Sequence, residues 1–574
     1  LKLSQFKCCI VELAWLFFMA GLLISIAPFL DQPFEEMGDI ALISRQVAQA
    51  SEFEVLRGAY SRLGFFHIGP ISFYWMALVQ WVLPSGLFAE GSFYYQYALG
   101  IWLANTLMGL ALFVSLRKLG LDTLSRILVL VFTIVLLWHL GGHVYFSPWG
   151  PHLTIIPMLW FTANLVRAGQ KDYKSLPGLA FAAIWILHSH AGSLIFLGPS
   201  CLLLLYFWIR LYRRNELELR SLYVPLLVGS VILIAGLAIP VYEAWLNQGG
   251  NIQAIANYLA ENSTWRKPGK ALVFMLSAMD GPFSVGFPLF APIALMLFVF
   301  YSRKKIDVTK KRLLLVSLIV VVGSFYGALR TPGSLVPHLF DHLLTINALI
   351  LAVAIAPAIR SLGLQLPGLD SMLRNPGISG KPSISETGES SRSEIGERAS
   401  ETDSASPSGT EHTRFEVDSA ETTSEAVPAL QKKTHPVAGL AIILVFLFTG
   451  MSRDTRAPSD SFQASQILEQ LQAQPNLTLD ANSLYRIHFA TEDLAHWPRA
   501  AGLMLQMERR GLRACIEPPY DILFGPEALC PKEIEKTILI EPASKNPKMK
   551  HDRSVYYGEI RATYYEQYEV HAGK

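Results

Sequence analysis

Charge is scarce in this sequence. Asp, Glu, Lys and Arg make up 16% of its 574 residues, while 51% are hydrophobic and gathered into long blocks. That composition excludes a single soluble core and points to a polytopic membrane protein. An excess of either sign is missing too: 48 basic against 46 acidic residues leave no basic field, so nucleic acid is not an expected partner. Cysteine is nearly absent, and five residues are too few for a disulfide scaffold. Cys8 and Cys9 lie at the first apolar block and Cys201 in another. Only Cys515 and Cys530 share a polar region, where they either pair in an oxidising compartment or stay as two thiols. The first block, Cys8 to Leu30, is too long for a signal-peptide core and lacks a small-residue cleavage site, so it is expected to be a retained anchor.

What is present is a series of apolar blocks near the roughly 20 residues that cross a bilayer. They fall at 8–30, 94–116, 123–141, 152–166, 176–190, 193–209, 221–243, 283–301, 312–329, 335–359 and 436–451, about 11 transmembrane helices. With the amino terminus inside, behind Lys2 and Lys7, the inner loops are those holding Arg117 and Lys118, Arg167 and Lys171, Arg213 and Arg214, Arg303 to Lys305, and Lys432 with Lys433. Each obeys the positive-inside rule, and the odd number of spans puts residues 452–574 outside.

Two segments break the apolar pattern. Residues 362–435, rich in Ser, Glu, Thr, Gly and Pro, have too few apolar groups to fold and are expected to be a disordered cytoplasmic linker. They separate a membrane module, 1–361, from the last span, 436–451. Residues 452–574 alternate helical and strand-like stretches: SDSFQASQILEQLQAQ, SLYRIHFA, HWPRAAGLMLQMERRG, LRACIEP and KTILIEP. This alternation predicts a small external α/β domain.

The first external loop, Asp31 to about Tyr94, is too long for a connector. It contains an amphipathic helix from Asp39 to Ala50 and, after a Gly69-Pro70 break, an aromatic helix from Ile71 to Val82 suited to the headgroup level. Ionisable groups beside hydrocarbon are costly and suggest function. Glu35 and Glu36 are read as solvating and capping the loop's first helix, and Glu243, near the outer end of its span, as reaching water.

These residues bring a resemblance. EEMGDIALISRQVAQASEFEVLRGAYSRLGFFHIGPISFYWMAL resembles the first loop of the GT-C glycosyltransferase superfamily, in particular the aminoarabinose and protein mannosyl transferases. Asp39 stands at the acidic position, and His67-Ile68-Gly69-Pro70 replaces the family's Lys-Pro-Pro. A group of bacterial membrane proteins with the signature SRxGxxHPGPxxFY is more similar still, departing only at Ile68. The resemblance implies a GT-C-like membrane fold and an inverting transfer of a sugar, possible pentoses such as arabinofuranose included, from a polyprenyl-phosphate carrier. The acceptor is then a hydroxyl on a cell-envelope glycan, lipid or protein. The implied setting is the bacterial inner membrane, with the site and the tail periplasmic.

Such a reaction needs one carboxylate as general base, and Asp39 is the candidate. Cations for the departing phosphate are Arg62 and Arg330 first, then Arg57 and Lys270. Polar groups expected to line the cavity are Tyr60 and His67 in the first loop, His143 and His152 around FSPWGPH, His188 and His190 in LHSHAG, and His338, Asp341 and His342 on one helix face in PHLFDHLL. That face lacks a further ligand for a metal, so no metal and no cofactor is expected. The alternative reading is a transporter or flippase of lipid-linked sugars, although matched repeats and broken helices are not evident in the sequence. A non-catalytic anchoring subunit is a third, against which the organised first loop argues.

Overall fold

The computed structural model describes residues 9–83, 85–88, 93–281, 307–361, 436–456, 464–474, 477–489, 496–518, 520–531, 534, 536–542, 554–557 and 560–566. The expected span 283–301 and the linker 362–435 lie outside them. All the other expected spans fall on helices: α1 (Ile10–Ile26), α4 (Tyr94–Lys118), α5 (Thr123–Leu136), α6 (Ile155–Gly169), α7 (Leu176–Ser189), α8 (Leu194–Arg213), α9 (Leu219–Leu246), α12 (Val308–Arg330), α13 (His342–Ser361) and α14 (Pro436–Met451). Among the described residues, six helical stretches are long and apolar enough to cross a membrane. The central α6 is only 15 residues long but is buried along nearly its whole length, so its surroundings are protein rather than lipid. By contrast α9 exposes Leu226, Leu227, Val231 and Ile234, as a lipid-facing helix must.

The basic loops gather at one end of the bundle. There Glu12 pairs with Arg117 and Arg126 at 3.3 Å each, Lys310 with Asp122 at 3.3 Å, and Arg167 with Asp172 at 2.7 Å. The first loop caps the opposite end with α2 (Gly38–Ser51), a two-residue hairpin of β1 (Tyr60–Ser61) and β2 (Phe65–Phe66), and α3 (Ile71–Val82). After α9, the chain adds α10 (Gly250–Glu261) and α11 (Pro268–Asp280). Small residues bring α14 against α1: a Cβ at Gly450 would lie 3.0 Å from the Gly21 Cα and 2.9 Å from the Leu22 nitrogen. Backbones can approach this closely only where neither carries a side chain.

The tail folds as a sheet of strand order β4-β3-β5-β7-β6. β3 (Leu484–Phe489) runs parallel to β4 (Arg513–Ile516) and β5 (Lys536–Pro542); β7 (Ile560–Glu566) and β6 (Ser554–Tyr557) add antiparallel strands absent from the sequence reading. Helices α15 (Ala464–Gln472) and α16 (Trp497–Arg509) supply the apolar faces that, with Tyr485, Ile487 and Phe489, form its core. Of the two states open to Cys515 and Cys530, the chain adopts the disulfide.

The tail rests on the first loop. Arg509 binds the fully buried Glu36 through two 2.8 Å hydrogen bonds, and Arg45 binds Glu508 at 2.6 and 2.7 Å. Glu35 accepts from Ser465. Glu36 therefore does not solvate a helix end as expected. Its charge is paired inside the seam, where Tyr97 and Ser44 also approach it.

Candidate active site

The site is built by tying the first loop to the helix ends beneath it. At the start of α2, Gly38 has φ +54°, a conformation natural to glycine, and the edge of Trp497 lies 3.2 Å from where its Cβ would be. No side chain caps this helix, which leaves Asp39 turned toward Trp149: the Trp149 Nε1–H donates to Asp39 Oδ2 at 3.0 Å. The hairpin is held as if by an extra strand. Asn251 Oδ1 accepts from the Phe66 N–H at 2.7 Å while its Nδ2 donates to the Phe66 carbonyl at 2.9 Å. Asn251 is itself fixed by Glu243, which accepts from the Asn251 N–H at 3.0 Å and from Arg57 Nε at 2.7 Å. Glu243 does not reach water; it is 1% exposed, and a buried carboxylate is tolerated here because Arg57, Asn247 and a backbone N–H compensate it.

Two histidines pin the Gly69-Pro70 break. His188 Nδ1 accepts from the Ile71 N–H at 3.3 Å, and its ring occupies the space that a Cβ on Gly69 would need. His67 Nδ1 accepts from the Ala191 N–H at 3.2 Å, with its ring 5.3 Å from that of His190. Burial, followed by the neighbouring His190, pushes the His67 pKa down to about 3. His67 is therefore neutral, and with Nδ1 accepting, its remaining donor is Nε2–H.

A cavity of about 760 Å³ opens between α2, the hairpin, α8, α10, α12 and the tail, a size suited to a small-molecule substrate. Its lining includes Asp39, Tyr60, Arg62, His67, His190, Arg330, His338 and His342. The Asp39 carboxylate has open space before it, but that space is the cavity, and protein encloses it elsewhere. Desolvation consequently raises its pKa, and the Trp149 hydrogen bond opposes the rise only in part. The two arginines are positioned by carbonyls: Arg62 donates to Ser334 O at 3.2 Å and Arg330 to Asn262 O. Among the described residues neither forms an ion pair with a carboxylate, so both guanidiniums retain their charge for an anion.

Other expected site residues lie elsewhere. Arg57 is neutralised between Glu243 and Glu527, 2.7 and 3.2 Å away, and Lys270 is exposed on α11 outside the cavity lining. His143, His152, His188 and Asp341 do not line the cavity either. The three polar groups of PHLFDHLL do not share a helix face, because Pro337–Phe340 forms a 3-10 turn before α13 begins. His338 packs on Trp149 at 4.4 Å, Asp341 faces His152 at 3.7 Å, and His342 meets Ser324 at 2.9 Å. Sequence reasoning passed over Trp149, inside the FSPWGPH run, and Asn251. It singled out the stretches HWPRAAGLMLQMERRG and FGPEALC as similar to the same bacterial group, but did not place their Trp497, Phe524 and Glu527 at the site; they bring the tail into the cavity wall from several hundred residues away.

No family model matches the chain, and no curated protein matches its sequence. Solved structures do match in three dimensions. ArnT from Cupriavidus metallidurans bound to undecaprenyl phosphate aligns over 95% of this chain and 97% of its own, at 12% identity and a TM-score of 0.50. Its apo state aligns over 92% of each chain at 12% identity and a TM-score of 0.48. At such identity the likeness concerns the fold. Spanning both chains nearly end to end, it shows that this protein shares the fold of the undecaprenyl-phosphate-bound ArnT.

Proposed function

We propose that this protein is a membrane glycosyltransferase that moves a sugar from a polyprenyl phosphate to a hydroxyl of a cell-envelope glycan, lipid or protein. The reaction takes place on the periplasmic side of a bacterial inner membrane, and pentoses such as arabinofuranose belong to the donor class considered. One observation carries the reading: a carboxylate open to the cavity, Asp39, shares it with two guanidiniums, Arg62 and Arg330, that among the described residues pair with no carboxylate. The fold, shared with a protein whose structure holds undecaprenyl phosphate, supports it.

In this scheme the acceptor oxygen attacks the anomeric carbon and forms the new glycosidic bond as its proton passes to Asp39. The bond from that carbon to the phosphate oxygen breaks, and its electron pair leaves with the lipid phosphate. Arg62 and Arg330 stabilise the charge that develops there. Neutral His67 can donate through Nε2–H without adding a competing charge. The scheme calls for no cofactor and no metal, because the two arginines supply the positive charge.

The test is mass spectrometry of envelope glycans, lipids and glycoproteins from a deletion strain complemented with wild type, Asp39→Asn or Arg62→Ala/Arg330→Ala. Asp39→Asn should leave the deletion phenotype in place while the purified variant still binds undecaprenyl phosphate; the double arginine variant should lose that binding. Normal products from the Asp39→Asn strain would refute the base assignment. Passage of labelled lipid across proteoliposomes without sugar transfer would identify a flippase instead.

A further inference from the structure

The cavity is completed by a segment far from the first loop in sequence. Between Cys515 and Cys530 the chain runs through Tyr520, a short helical turn (Asp521–Phe524) and Gly525, with the disulfide joining its two ends. The turn reaches the first loop directly: a Cβ on Gly525 would lie 3.5 Å from the Phe66 ring and 3.6 Å from that of Tyr60, and Glu527 binds Arg57 at 3.2 Å. Phe524, Glu527 and, from α16, Trp497 are all in the cavity wall.

The polar groups of the cavity divide accordingly. Arg62 and Arg330 are anchored to the carbonyls of Ser334 and Asn262, in the turns at the ends of α12 and α10. Trp497 and Phe524, at 6.3 Å and 84° to one another, line the same cavity, and Trp497 also covers the glycine preceding Asp39. An incoming hydroxyl must meet Asp39 from a side not taken by the donor phosphate, and the tail supplies that side. Its chemistry is particular. Trp497 offers flat apolar contact, with the largely buried Phe524 packed edge-to-face against it, while Gln46 and Gln49 of α2 and the Arg57-paired Glu527 offer planar hydrogen-bonding groups in the same cavity. A sugar ring combines an apolar C–H face with hydroxyls around its edge, and this pairing of surfaces matches it.

We infer that Trp497, backed by the turn Tyr520–Ala528, is the acceptor wall of the cavity, and that the acceptor is a carbohydrate whose ring lies against Trp497. This rests on the glycosyltransferase reading above.

The experiment uses the full chain in nanodiscs, donor lipids extracted from the deletion strain, and the oligosaccharide pool released from that strain's envelope. Trp497→Ala and Phe524→Ala should raise the KM for the oligosaccharide pool at least ten-fold, with affinity for undecaprenyl phosphate changed less than two-fold. Trp497→Phe and Phe524→Tyr, which retain a ring, should restore most of the loss and exclude simple misfolding. Equal losses of pool use and lipid binding, or failure of the aromatic variants to rescue, would overturn the wall assignment. Wild-type product formed on protein or lipid rather than on the oligosaccharide pool would overturn the carbohydrate assignment. Failure of wild type to bind undecaprenyl phosphate or to form any product would instead strike the transferase reading itself, and the wall with it.

Discussion

At the scale of single residues, Asp39, as the proposed base, carries opposing demands. A base must hold its proton affinity high yet be ionised when the acceptor arrives, and burial meets the first demand by raising the Asp39 pKa. Transfer should therefore weaken as pH falls through that raised value, above the usual carboxylate range. The Trp149 N–H favours the ionised form. Removing it in Trp149→Phe should move the acidic limb of the kcat/KM profile to still higher pH, and a limb shifted downward would refute this role. Stability takes the opposite sign. A carboxyl whose folded pKa is raised contributes stability fully below its unfolded pKa and loses it as pH rises through the folded value, so ionised Asp39 is a burden at neutral pH. Asp39→Asn should accordingly melt no lower than wild type at pH 7 while losing about 10²- to 10⁴-fold in transfer. Asp39, Arg62 and His67 were legible because they stand in one continuous motif. Glu36 was misread for a physical reason: whether a carboxylate is solvated or paired depends on a partner, Arg509, that is 473 positions away.

At the scale of elements, periodicity and length disclosed most helices, and the chemistry of their contacts remained hidden. The ranges expected for the first-loop helices nearly coincide with α2 and α3, since both are bounded by glycine or proline and carry clear apolar faces. The hairpin between them has only two residues per strand, too few for any alternation to show, and Asn251 binds the outer edge of Phe66. The added strands β6 and β7 escaped notice because SVYY and IRATYYE offer no clear period of two in so polar a setting. The α1–α14 crossing shows what a span contributes beyond hydropathy. Around Gly450 the nearest atoms are backbone, which cannot rotate aside. Gly450→Leu should force the helices apart at a cost of about 1–3 kcal/mol, seen as a lower Tm in detergent, with Gly450→Ala intermediate. An unchanged Tm for the leucine variant would mean that this crossing does not hold the last helix.

Across the whole molecule, the tail is secured to the first loop by contacts of unequal weight, and their burial decides which governs docking. The Arg57–Glu527 pair has a carboxylate 57% exposed, and exposed pairs contribute about 0–1 kcal/mol. Glu36 has no exposure at all, so its charge must be answered by Arg509. Removing one partner of a buried pair leaves an uncompensated charge and costs about 3–5 kcal/mol, whereas replacing both can be nearly neutral. Arg509→Met should thus loosen the seam, raising hydrogen exchange in α16 and α2 together and lowering transfer, because the departing tail takes Trp497 and Phe524 out of the cavity wall. Adding Glu36→Gln to that variant should recover much of the protection, and Glu527→Gln alone should leave exchange unchanged. The same weighting predicts the response to salt: screening acts on exposed pairs and spares buried ones, so molar salt should leave the tail docked in wild type. Undocking by salt, or a double variant no better protected than Arg509→Met, would shift the governing contact from Glu36 to the rim of the seam.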